Sequence, residues 1–247
     1  MGRQVWKPGN MLYPLPAVLV SVADRAGNLN LFTVAWTGTV CSDPPMVSIS
    51  VRPERYSYHM IEETGEFVVN LTTESLAYAT DYCGVRSGRD TDKWREMNLT
   101  PLKGEHVQAP MVAESPVNLE CRVTQQLKLG THTMFLAEVL AVHVDERYLD
   151  AGGRLHLKEA GLLVYSHGRY FGIGKEQGTF GYSVRNSAGG RRPKDNKRSA
   201  GKKRMAENKR PAGKKRMAEN KRPAGNKRPT GSQKKNGRKE TTGRRRR

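Results

Sequence analysis

From Arg191 to Arg247 the chain contains no Trp, Tyr, Phe, Leu, Ile or Val. A segment with nothing apolar to bury cannot offset the entropy of ordering its backbone. Any fold must therefore be built from the residues before it. Within this segment the unit GKKRMAENKRPA stands twice in tandem, over Gly201–Ala212 and Gly213–Ala224. It carries 25 basic and 4 acidic residues, a net +21, against +19 for the whole chain. The preceding 190 residues are thus at −2. A basic footprint on a folded face is excluded as the source of the high charge. The boundary expected is a folded domain over 1–186 and a disordered Lys/Arg-rich tail over 187–247. The tail is expected to bind polyanions without sequence preference, since it has no aromatic residue to stack on bases.

Cys41, Cys83 and Cys121 are the three cysteines, widely spaced and without a CxxC pair. Neither a zinc site nor a disulfide framework is indicated, and a reducing cytoplasm is the expected compartment. No apolar run approaches the length of a membrane span, so no membrane partner is expected. GxGxxG after a strand, GxxxxGK[ST], HExxH and GxSxG are all absent.

Ala17 to Asp24 is β-branched and apolar and ends at Arg25-Ala-Gly-Asn28, a strand followed by a turn, with Gly27 and Asn28 suited to positive φ. Leu29–Trp36 reads as the returning strand, giving way to a Thr-rich loop that two prolines, Pro44 and Pro45, close. Met46–Val51 alternates as a half-buried strand. Tyr56–Thr64 has helical spacing and stops at Gly65. Phe67–Leu71 is a strand, and Thr73–Tyr82 reads as a helix ending before Gly84. Thr91–Met97 suggests one further turn. Long β-like runs follow at Val117–Leu127, Thr133–Val144 and Leu162–Tyr165. The fold class expected is mainly β with short inserted helices, arranged as a closed or nearly closed barrel.

Four stretches could carry chemistry. Trp36 is flanked by Thr37 and Thr39, with Gly38 allowing close backbone approach; the plain alternative is a strand end with a core Trp. Arg52 and Arg55 supply forked donors beside Ser57 at a helix start, an anion site or simply a helix cap. Cys83–Trp94 is rich in donors and includes Lys93, suiting either an anion or a surface loop. His132 follows Gly130-Thr131 at the start of an apolar run, without a metal-binding companion.

The order and spacing of these stretches carry a resemblance that none carries alone. The matching lines are Asn30-Leu-Phe-Thr-Val-Ala-Trp-Thr-Gly38, Cys41-Ser-Asp-Pro-Pro-Met46, Ser50-Val-Arg-Pro-Glu-Arg-Tyr-Ser57, Ser87-Gly-Arg-Asp-Thr-Asp-Lys-Trp94 and Leu129-Gly-Thr-His132. Over Pro14–Ser183 the chain resembles the flavoredoxin and flavin reductase-like family, whose fold is the FMN-binding split β-barrel. The resemblance implies a bound FMN, NADH or NADPH as co-substrate, and a homodimer. By position it implies that Asn30 and Trp36 lie beside the isoalloxazine and that Ser57 meets the phosphate, with Arg52 as neighbour. Thr37 and Thr39, which flank Trp36, are expected to be cofactor-binding with it; by position Lys93 contacts the cofactor, His132 stands near the flavin and nicotinamide, and Tyr165 packs on the flavin. Related short-chain reductases often carry Asp before that His, where this chain has Thr131. The activity implied is electron transfer from NAD(P)H through FMN to a flavin or other acceptor. The alternatives are a carrier serving a protein redox partner and a tail-mediated nucleic-acid binder.

Overall fold

The computed structural model describes residues 2–185 of the 247, and the basic tail lies outside them. Twelve strands and three α-helices carry the barrel, and a fourth short helix, α4 (Tyr182–Arg185), ends the described residues. The strands and the first three helices are β1 (Leu15–Pro16), β2 (Val18–Ala23), β3 (Leu29–Val34), β4 (Thr37–Ser42), β5 (Pro45–Val51), α1 (Tyr56–Thr64), β6 (Glu66–Leu71), α2 (Ala77–Val85), α3 (Lys93–Glu96), β7 (Pro101–Leu102), β8 (Met111–Val112), β9 (Val117–Leu129), β10 (His132–Val144), β11 (Leu163–Ser166) and β12 (Arg169–Gly172). Seven of the strands form one antiparallel sheet in the order β3-β2-β6-β9-β10-β5-β4. Its two edges, β3 and β4, are joined only by Ala35-Trp36, so the barrel is split.

β2 explains why the split barrel has two packed layers. All six of its residues are buried, and its sequence shows no apolar–polar alternation. Val18, Val20 and Val22 face the barrel interior with Ile49, Phe67 and Phe135. Leu19 faces outward, where Leu31 of β3, Leu76 of the 3-10 turn before α2, Cys83 of α2 and Trp94 of α3 cover it. α1 lends Tyr58, Met60 and Ile61 to the interior cluster. Burying each of the last two contributes about 1.5–3 kcal/mol. The helix ends at Gly65, whose φ of 67° lets its N–H reach Ile61 O at 2.8 Å.

Two expected elements differ. The Thr-rich stretch after Trp36 is a strand, β4, not a loop. It pairs only with β5, through a bulge between Thr39 and Cys41, and an edge strand tolerates the polar, half-exposed side chains that disguised it. The helix expected over Thr73–Tyr82 begins later, after a 3-10 turn at Glu74–Leu76, and runs through Gly84 to Val85. Gly84 is there for space: a Cβ would stand 3.3 Å from the Thr33 Cβ on β3.

β9 and β10 meet at the tight turn Gly130-Thr131, with Gly130 at φ 62°. That turn delivers His132 to the first position of β10. A small sheet, β1-β11-β12, brings Tyr165 and Tyr170 to the same end of the barrel.

Candidate functional site

Two cavities of about 560 and 310 Å³ join into one cleft, sharing Phe32, Arg52, Arg55 and Val85. The larger is aromatic. Trp36 and His132 lie nearly parallel, at 4° with ring centroids 6.4 Å apart, and Thr131 Oγ1 meets His132 Nδ1 at 2.9 Å. Tyr165 and Tyr170 form another wall, edge to face at 5.6 Å. Burial, reinforced by the neighbouring charge and hydrogen bond of Asp81, pushes the Tyr170 phenol up to about 12. Tyr170 therefore stays a neutral donor across the physiological range.

The smaller cavity is cationic. Arg52, Arg55, Arg86, Arg89 and Lys93 line it against one carboxylate, Glu54. Ser57 is buried in the first turn of α1, where no side chain caps the free N–H groups. Asn30 Nδ2 donates to Ser57 Oγ at 2.7 Å. Gly88 closes over Asn30 so tightly that a Cβ there would overlap the carboxamide.

The arginines already have partners of their own. Arg52 Nε pairs with Glu54 at 2.7 Å, and Arg55 Nη1 donates to Gly84 O at 2.8 Å. Arg86 and Arg89 lie over the rings of Tyr82 and Tyr56. Lys93 is only 3% exposed. Its Nζ donates to Leu31 O at 2.8 Å and Cys83 O at 3.1 Å, tying β3 to the end of α2. Burial, with some help from the Arg55 charge, pulls its ammonium down to about 8. An ammonium has three donors, so one is left for the cavity that Lys93 lines.

Of the nine residues singled out from the sequence, seven line the cleft. Trp36, His132 and Tyr165 stand in the aromatic cavity, Asn30, Ser57 and Lys93 in the cationic one, and Arg52 at the junction. Asn30 thus stands with Ser57 and not with Trp36. Thr37 and Thr39 do not line either cavity; Thr37 Oγ1 donates to Ser48 O at 2.8 Å, and Thr39 is exposed on β4. Sequence reasoning missed Asp81, Arg86, Gly88, Arg89 and Tyr170. Arg86 to Arg89 sit in the donor-rich loop that had been noticed, so their signal was present. Tyr170 had none, because only the β11–β12 hairpin brings it to the cleft.

The model of the flavin reductase-like domain matches residues 11–174. This chain belongs to that family. Among solved structures, the flavin reductase-like domain here is similar to the flavoredoxin of Desulfovibrio vulgaris (Miyazaki F), 30% identical with a TM-score of 0.69, covering 74% of this chain and 99% of that one. It is likewise similar to flavoredoxin from Methanosarcina acetivorans, 29% identical, TM-score 0.68, covering 76% and 99%. An uncharacterized protein of Archaeoglobus fulgidus is 30% identical over 147 residues, 60% of this chain and 82% of its own. These likenesses agree with the mainly β split barrel. Among the described residues, no helix is long and apolar enough to cross a membrane.

Proposed function

We propose that this chain binds FMN and acts as an oxidoreductase of the flavin reductase type, moving electrons from NADH or NADPH to a second flavin or another acceptor. One observation carries the reading: a single cleft divided into an aromatic cavity and a cationic one. FMN has the same division, a flat apolar ring and a dianionic phosphate. Trp36, His132 and Tyr165 suit the ring. The first turn of α1, Ser57, Arg52, Arg55 and Lys93 suit the phosphate. When bound, the flavin would supply the hydride and single-electron chemistry.

The chain's own residues position and polarise. Asn30 orients the Ser57 hydroxyl, because the carboxamide donates to Oγ and leaves that hydroxyl's proton to point elsewhere. Arg52 and Arg55 stand at the junction, where their charge favours an anionic over a neutral ligand state. Thr131 fixes one nitrogen of His132, leaving the other for a substrate in the aromatic cavity. No side chain is assigned as an essential acid or base. The working unit in this reading is a homodimer in the cytoplasm.

The test is an anaerobic mix of flavin-loaded protein with NADH or NADPH, following the flavin's visible absorbance. Rapid bleaching by either nucleotide is expected. A second reading, an electron carrier with a protein partner, is favoured by Trp36 at 38% exposure on the rim of the aromatic cavity and by the likeness to flavoredoxins. Bleaching by a reduced protein donor, with both nucleotides inert, would replace the first reading by the second.

A further inference from the structure

Before β1 runs a segment that the barrel does not cover. All of residues 2–12 are exposed, Val5 completely and Trp6 at 71%. Met11 and Leu12 are exposed as well, so four apolar side chains stand uncovered within eight positions. Apolar groups gathered in this way mark a contact surface. Among the described residues, none of 2–12 makes a hydrogen bond or an ion pair. The segment is nevertheless anchored at one end. Tyr13 sets its ring edge-on to Tyr165 and His167, at 6.1 and 5.9 Å, and Leu15 of β1 pairs with Tyr165 of β11.

Just before that anchor, Asn10 lines the aromatic cavity together with Trp36, His132 and Tyr165. It is the one residue of the cavity wall that comes from outside the barrel and its small sheet. Its carboxamide has no protein partner, so its donors and its acceptor are open to a ligand. The chain bends at Pro8, and the neighbour nearest to a Cβ at Gly9 would be Lys7 O, 3.9 Å away. A proline with fixed φ beside a glycine free to turn either way makes a joint. Trp6 lies beyond this joint, within about 14 Å of Asn10 along even a fully extended chain. We propose that residues 2–12 are a strap that closes over a ring held in the aromatic cavity, with Asn10 hydrogen-bonding the ring's polar edge and Trp6 covering its face. This rests on the flavin reading above, the ring being the isoalloxazine. Closure buries the Trp6 indole against a flat apolar partner and keeps water from the ring.

Limited chymotrypsin digestion of the flavin-stripped full chain, with and without saturating FMN, tests the closure. The protease cuts after Trp6, while the segment from Arg191 onward offers it no aromatic residue or leucine. FMN is expected to slow cleavage after Trp6 by at least about fivefold and to leave cleavage after Phe180, 99% exposed, within about twofold. Affinities for FMN and riboflavin, read by quenching of flavin fluorescence, test the contacts. In Trp6→Ala both are expected to fall about tenfold, as loss of one stacked ring does. In Asn10→Ala both should fall about fivefold, as loss of one hydrogen bond does. Neither side chain has a partner in the fold, so both variants should fold as the natural chain does. Unchanged cleavage after Trp6 at saturating FMN overturns the strap and leaves the flavin reading standing. Equal protection after Phe180 overturns it too, because the whole domain has then tightened. So does a loss confined to FMN, since riboflavin shares the ring and lacks the phosphate. If neither flavin binds the natural chain, the flavin reading itself fails and the strap with it.

Discussion

At the scale of single residues, the cleft depends on groups that do two things at once. Lys93 staples Leu31 to Cys83 and presents the remaining donor to the cationic cavity. Its ammonium titrates near 8, because burial disfavours the charged form. A phosphate monoester has already lost its second proton by that pH. Raising the pH from 7 to 9 therefore removes a positive charge from the site without changing the ligand. FMN affinity should fall several-fold, up to about tenfold, over that range. Riboflavin, which has no phosphate, should show a flat profile; parallel profiles for the two ligands would contradict the role given to Lys93. Gly88 makes an independent prediction. Gly88→Ala must displace the Asn30 carboxamide from Ser57, and FMN affinity should drop by at least about tenfold. The loop is at the surface, so thermal stability should change by only about 1 kcal/mol.

At the scale of elements, the fold is held by a second staple, made of residues that do not line the cleft. Glu120 on β9 is fully buried, yet its carboxyl lies at about 2. Burial alone would raise it. The backbone N–H groups of Glu105, His106 and Val107, at 2.7–2.9 Å, and His143 Nε2 at 2.6 Å outweigh that effect. The carboxylate thereby pins the loop between β7 and β8 to β9. A carboxyl with a depressed folded pKa stabilises fully above its unfolded value of 4.5, and that contribution fades as pH falls toward 2. It amounts to about 3 kcal/mol. Glu120→Gln should lose about that much by denaturant titration at pH 7, and its deficit should shrink below pH 4. A deficit unchanged between pH 7 and pH 3 would assign the loss to packing instead. Local signals made α1 and its Gly65 stop legible, since helical spacing and a positive-φ glycine coincide there. Gly84 was misread for the opposite reason: its role depends on Thr33, a contact made across 51 positions of sequence. The same holds for Asp81 and Tyr170, whose pairing exists only once β12 folds against α2. Residues whose work is local could be read ahead of the structure, and those defined by a long-range partner could not.

At the scale of the whole molecule, the charge division is the dominant fact. A body near −2 builds the cleft, while a +21 segment of 57 residues lies beyond it. The site's own cations belong to the body: Arg52, Arg55, Arg86, Arg89 and Lys93 all precede the repeat. Flavin binding and polyanion binding should therefore separate cleanly. Removing residues 187–247 should leave FMN affinity, flavin content and nucleotide-driven bleaching within about twofold of the full chain. Retention on heparin or on duplex DNA at low salt should vanish with the segment. For the full chain, the logarithm of the binding constant should fall linearly with the logarithm of salt concentration. Each neutralised phosphate contributes a slope of about −0.9, so engagement of even a third of the segment's 25 basic residues gives a slope near −7. Scrambled DNA sequences should bind alike, because the segment has no aromatic residue to stack on bases. A truncated protein that loses its flavin would instead assign the segment to the cofactor site and dissolve the division between the two halves of the chain.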